Sequence, residues 1–209
     1  MQPTFDNSVF LNCPFDEQYF ALLRPMLFTV RYLGFFPRIA LESRDSGQPR
    51  IVKIISLIAS CRLAIHDISR MRAEKEGEIF RFNMPFELGL DIGCRTYKEG
   101  KWTLKKCLIL DQEQYRYQKA ISDLSNSDIA SHHNQPSRLV ACVRDWLVNE
   151  ELDRESSATR IWFDYNDFWS FLLQTLRARQ FSDDEIERLP INEFMRWIDA
   201  WMENNPRIA

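Results

Sequence analysis

Glycine is scarce in this chain, six residues in 209, and neither G-x-x-x-x-G-K nor G-x-G-x-x-G can be written anywhere in it. The two commonest loops that cradle phosphate with backbone N–H groups are therefore excluded. Three histidines, His66, His132 and His133, are too few and too badly spaced for a typical zinc site, which leaves carboxylates as the only candidate ligands for a hard cation, and no metal or cofactor is expected. Cys13, Cys61, Cys94, Cys107 and Cys142 are odd in number and contain no C-x-x-C pair, a pattern that predicts reduced thiols and a cytoplasmic location. No apolar run approaches the roughly 20 residues a membrane span requires. The opening MQPTFDNSVFLNCPFDE lacks a basic region followed by an apolar core, so no secretory signal is expected. An excess of basic residues is missing too: 27 Lys+Arg face 30 Asp+Glu, and a net charge of −3 supplies no general attraction to a nucleic-acid backbone.

What is present is enough to fill a core. Hydrophobic residues make up 45% and aromatic residues 13% of the chain, which excludes disorder. Charge and tryptophan divide it unevenly. Residues 1–150 carry 20 Lys+Arg and 18 Asp+Glu, whereas 151–209 carry 7 and 12 together with four of the six tryptophans. A boundary near the polar run Asn149–Thr159 is expected, with an α/β domain over 1–150 and a helical, acidic, Trp-rich interaction segment over 151–209.

The first part alternates short apolar runs with segments of helical period, which predicts strand–helix–strand units and a doubly wound parallel sheet. Strands are expected at Ser8–Asn12, Phe35–Leu41, Arg62–Asp67 and Lys106–Asp111. Helices are expected at Glu17–Leu33, awkwardly containing Pro25 and stopped by Gly34, at Arg50–Ser60 with Val52, Ile55, Ile58 and Ala59 on one face, from Asn83 onward, and at Pro136–Asn149. Arg116–Asn134 reads as irregular. Asp164–Arg179 and Ile191–Asn204 read as two amphipathic helices. Their apolar faces require burial on the sheet domain, across a homodimer or on a partner protein.

The densest chemical constellation is RFNMPFELGLDIG, Arg81 to Gly93. Asn83 suits the N-cap and Pro85 the first turn, which sets Glu87 near the positive end of the helix dipole. Gly89 and Gly93, four apart, are expected to let the helix approach the sheet. Asp67 ends the third strand, and ligands bind at the carboxyl ends of strands in open α/β sheets, so Asp67 and Glu87 should share one edge. Two carboxylates at one cleft suit glycosyl transfer, one attacking or stabilising an oxocarbenium-like sugar and the other orienting a hydroxyl or protonating the leaving group. Taken singly, Glu87 also suits a dipole-stabilising role and Asp67 a turn.

VFLNCPFDE at the first strand, a third strand ending in His66-Asp67, and NMPFELGLDIG opening a helix resemble the nucleoside 2-deoxyribosyltransferase-like group of the superfamily that contains TIR domains. The likeness spans roughly Ser8 to Asp111. It implies a flavodoxin-like sheet that cleaves N-glycosidic bonds, with Glu87 as nucleophile in the E-x-G half of a G-T-x-x-E-x-G segment and Asp67 as the aspartate that orients the sugar or assists at the base. Asn83-Met84-Pro85 replaces the G-T half, adding bulk and an amide beside the sugar, so deoxyribose specificity is not implied.

Arg44, Arg50, Arg70 and Arg81 fall in or near loops at the same edge, where arginine forks would recognise phosphate. Asn12, Phe15 and Asp16 follow the first strand, Phe15 placed to stack on a base and Asn12 to hydrogen-bond it. Asp16 and Phe15 equally suit a helix cap and staple. Cys13 has no histidine placed to activate it and reads as a structural thiol. Asp123, Asp128 and His132 are candidates to close over a substrate or simply to solvate a loop. The expected activity is that of an N-glycosidase or glycosyltransferase acting on a nucleotide, NAD among the candidates because its nicotinamide leaves from a cationic nitrogen and needs no strong general acid. A non-catalytic nucleotide sensor and a TIR-like assembly module are the alternatives.

Overall fold

Alternation along the first strand decides the architecture. In β1 (Ser8–Asn12), Val9 and Leu11 belong to one apolar cluster and Phe10 to another, and all are buried, so both faces of the strand must be covered. The computed structural model describes residues 2–42, 45, 47–71, 82–124, 127–150 and 156–205. Among these residues, β1 is followed by α1 (Phe20–Tyr32), β2 (Phe36–Arg38), α2 (Arg50–Ser60), β3 (Leu63–Asp67), α3 (Asn83–Tyr97), β4 (Lys106–Asp111), β5 (Ile129–Ser131), α4 (Pro136–Leu147), α5 (Ala158–Ala178), α6 (Asp183–Glu187) and α7 (Ile191–Asn204). The strands form one all-parallel sheet in the order β2-β1-β3-β4-β5, an α/β fold. The register aligns Asn12 with His66, Asp67 with Leu110 and Asp111 with Ser131, bringing four polar strand ends to one edge.

Val9, Leu11, Leu63, Ile65, Leu108 and Leu110 pack on α1 and α4. On the opposite face, Phe10 and Ala64 meet Ile54, Leu57 and Ile58 of α2, and Ile109 meets Met84 and Leu88 of α3. The expected face of α2 is thus corrected: Val52 and Ile55 are about half exposed, and Ile54, Leu57 and Ile58 point inward. Apolar residues surround RIVKIISLIAS on all sides, so periodicity alone does not choose the face. α1 runs through Pro25 without ending and stops where Gly34 takes a φ of 84°. The Phe35 N–H then bonds the Val30 carbonyl and the Gly34 N–H that of Arg31, closing the turn in the way a glycine terminator permits. β2 is only three residues long, because a 3-10 turn begins at Ala40, and β5 lies inside the stretch expected to be irregular.

α5 and α7 bury their apolar faces within the same chain. Phe168 stacks on Phe28 of α1 at 5.4 Å and meets Phe194 and Trp201 of α7 edge-on at 5.5 and 6.0 Å. Polar links run alongside: Tyr32 donates to Asp164 at 2.8 Å, and Arg31 bonds Asp199. The last helices therefore form an outer layer over α1, sharing its core. No helix among the described residues is long and apolar enough to cross a membrane.

Candidate active site

The inward stripe of α3 carries Met84, Glu87, Leu88 and Asp91, while Phe82 before the helix and Phe86 on it are exposed. Acid inward and phenylalanine outward is the reverse of what core packing selects. Glu87 is 6% exposed and has no hydrogen-bond partner among the described residues. Burial pushes its carboxyl up to about 7, and the nearby Arg50 guanidinium offsets this only in part. The helix start differs from expectation: Phe82 occupies the cap position without a capping hydrogen bond from its side chain, and Asn83 is the first helical residue, exposed. Gly89 and Gly93 do not mediate close approach to the sheet. A Cβ at Gly89 would meet nothing within 4 Å, and one at Gly93 only Tyr97 of its own helix at 3.8 Å.

Asp67 shares the edge with Glu87. Cys13, at the exit of β1, feels the negative charge of Asp67, Glu87 and Asp16, which together with burial hold its thiol well above the ordinary range. That is the environment of an inert thiol. All five cysteines are free. Asp67, however, is fully buried and fully engaged. Its Oδ1 accepts from the Ser69 N–H at 2.8 Å, and its Oδ2 accepts from Tyr19 Oη and lies 3.1 Å from His132 Nε2. Burial alone would raise this carboxyl, but bonds from His132, Ser69 and Tyr19 outweigh it and hold Asp67 below the usual carboxylate range. The Asn134 N–H donates to His132 Nδ1, which leaves Nε2 as the ring nitrogen 3.1 Å from Asp67 Oδ2. Asp67 thereby ties the turn after β1 to the end of β5.

A second polar chain lies under α3. Asn12 Nδ2 donates to the Met84 carbonyl at 2.8 Å and sits 2.9 Å from His66 Nδ1. The carbonyl fixes the amide orientation, which makes His66 Nδ1 an acceptor and Nε2 the donor to Asp91 Oδ2 at 3.1 Å. Lys105 Nζ reaches Asp91 Oδ1 at 2.9 Å and the Ile58 carbonyl at 2.8 Å. Burial raises Asp91 in isolation, and His66 and Lys105 reverse it, leaving that carboxyl below its ordinary range. This chain anchors the first turns of α3 to β1 and β3, fixing the helix that bears Glu87.

The remaining sequence candidates divide. Phe15 is half-buried with the Arg50 guanidinium 5.7 Å from its ring centre. Asp16 accepts from the Tyr19 N–H at 3.0 Å, capping the turn Glu17–Tyr19. Arg70 donates to Gln18 at 3.3 Å and acts on Tyr19, which keeps it at the edge. Met84 contributes its carbonyl to Asn12, and its side chain packs with Ile68, Met71 and Leu88. His132 is buried beside Asp67, whereas Asp123 and Asp128 are exposed. Arg44 and Arg81 lie outside the described residues.

Tyr19, Asp91, Lys105, Asp111 and Arg116 carry no expectation from the sequence. Asp111 ends β4 as Asp67 ends β3, and it is paired with Arg116, which also donates to the Ser69 carbonyl. The repeated strand-plus-aspartate ending, AIHD and LILD, is a readable signal for it. Asp91 lies four residues after Glu87, at the helical spacing that marks a shared face. No group of three or more His, Cys, Asp or Glu among the described residues is arranged to hold a metal ion. No protein-family model, curated protein or solved structure matches the chain.

Proposed function

We propose that this protein cleaves the N-glycosidic bond of a nucleotide, NAD among the candidates, with Glu87 as the carboxylate that meets the anomeric carbon. The observation that carries the reading is the contrast between two acids that both act on Cys13: Glu87 is buried, has no hydrogen-bond partner among the described residues and is raised to about 7, while Asp67 is ionised and held by Tyr19, Ser69 and His132. Environments that push two carboxyls apart assign them different tasks. A desolvated Glu87 anion gains most when positive charge develops on the sugar, so the interaction strengthens on the way to the transition state. Asp67, with no exposed surface, serves to hold the β1 exit and His132 in place. The strand order supports a flavodoxin-like arrangement, in which ligands bind outside the strand carboxyl ends. Exposed Phe86 and half-buried Phe15 supply ring surfaces near that edge, and Arg50 and Arg70 supply cations for phosphate. Free thiols at all five cysteines support a cytoplasmic setting.

The test is to incubate purified protein with a panel of nucleosides, nucleotides and NAD and to follow free base by chromatography. Release from at least one phosphorylated member, lost in Glu87→Gln, is the expected result. Turnover that survives Glu87→Gln to within about tenfold removes Glu87 from the mechanism.

A further inference from the structure

Arg50 faces two ways. Its guanidinium offsets the burial of Glu87, and the same side chain lines a cleft of about 440 Å³. One wall of that cleft is α2, with Arg50 and, one turn on, Lys53. The connection from α6 to α7 also lines it, with Arg188, Leu189 and Pro190. Among the described residues, three cations line the space with one carboxylate, Asp45. Phe20 adds an aromatic surface, and Leu189 and Pro190 give the same wall an apolar character. The volume is within the range of about 300–1,000 Å³ found for small-molecule sites.

We propose that this cleft is a second subsite, which takes the phosphoanhydride arm of a nucleotide whose glycosidic bond lies at Glu87. The inference rests on the reading of Glu87 given above and goes further: the substrate class is a nucleoside diphosphate or a dinucleotide joined through a diphosphate, and the C-terminal helices build half of its site. Cations contributed by two separate elements, α2 and the α6–α7 connection, match a ligand with more than one anionic group. Arg50 makes no hydrogen bond or ion pair among the described residues, so its donors are available without breaking another contact. Among the described residues Arg188 makes solvent-exposed pairs, to Glu17 at 3.3 Å and Asp184 at 3.2 Å. Such pairs contribute little and exchange readily for a phosphate. The apolar stretch beyond the cations suits the ring of a distal nucleoside.

The arrangement also explains why α6 and α7 are fastened where they are. Arg24 of α1 donates to the Glu187 carbonyl and lies 4.7 Å over the Trp169 ring of α5, and Asn192 donates to the Glu42 carbonyl at 2.7 Å. These bonds hold the α6–α7 connection against the turn before α2, fixing the distance between the two charged elements.

Calorimetric titration of the full chain with ADP, which carries the diphosphate without a scissile nicotinamide, tests this directly, with adenosine and inorganic pyrophosphate as companion probes. ADP is expected to bind saturably and more tightly than adenosine. Arg188→Glu and Lys53→Glu should each weaken it by about tenfold or more, because each replaces a charge-assisted contact with repulsion. Circular dichroism checks that both variants remain folded. Absence of saturable ADP binding, or binding indifferent to Arg188→Glu in a folded variant, overturns the subsite. If ADP binds through Arg188 and yet no nucleotide in the panel releases base, the catalytic reading of Glu87 falls while the subsite stands. Base release without ADP binding does the reverse.

Discussion

Glu87 and Asp91 lie one helical turn apart on the same inward stripe of α3, yet their surroundings drive them in opposite directions. Burial raises Glu87 to about 7, whereas His66 and Lys105 hold Asp91 below the ordinary carboxylate range. One acid is locked into the scaffold and the other has no hydrogen-bond partner among the described residues, and four predictions grow from that contrast and its setting.

If the ionised form of Glu87 is the reactive one, kcat/KM for base release should rise tenfold per pH unit below about 7 and level off above it. A pH–rate profile on the best substrate of the panel measures this. A rate that falls through the same range would make Glu87 a proton donor instead.

Glu87→Gln should stabilise the protein while disabling it. The folded carboxyl holds its proton up to about 7, while the unfolded one releases it near 4.5. Stability therefore declines as pH rises across that window, and the loss is complete above it. An amide has no proton to lose. The variant should exceed the parent by on the order of 1–2 kcal/mol at pH 8, and the difference should vanish below about pH 4. Urea titrations at both pH values decide it, and equal stability at pH 8 would mean that Glu87 is not strained.

Asp67→Asn should cost about 3 kcal/mol at pH 7, because Tyr19, His132 and the Ser69 N–H lose an ionised acceptor in a buried site. The folded carboxyl lies below its unfolded value, so its contribution is present above about pH 4 and fades as pH falls through the folded value. The gap between parent and variant, measured by urea unfolding at pH 7 and pH 3, should narrow at the lower pH.

Phe168→Ala should cost about 3–5 kcal/mol, since the ring is fully buried among Phe28, Phe194 and Trp201. Removing everything after Asn149 should leave an insoluble fragment for the same reason. A soluble, folded fragment would show that the outer helices are dispensable to the core.

The regular elements were legible because their signals are local. Ser8–Asn12, Arg50–Ser60, Lys106–Asp111 and Ile191–Asn204 have the same bounds in the structure as in the pattern. Parallel register sets Asp67 at the end of β3, and Glu87 of α3 acts with it on Cys13 at the exit of β1. Misreadings arose where the deciding contact is distant. The inward face of α2 depends on Phe10 and Ala64, and β5 is defined by pairing with β4, not by its own three residues. The engagement of Asp67 was equally hidden, since its partners lie 48 residues before it, at Tyr19, and far after it, at His132.

The outermost strands carry a consequence for self-association. β2 and β5 have three residues each, and Pro37, at the centre of β2, can donate nothing to a neighbouring ladder. Neither border offers a template long enough for another chain to extend the sheet by strand addition, so fibrillar stacking edge to edge is blocked from both sides. Pairing of two copies is then left to other surfaces, and among the described residues Phe163 and Phe171 of α5, Ile51, Val52 and Ile55 of α2, and Phe86 and Ile92 of α3 are exposed apolar groups on helices.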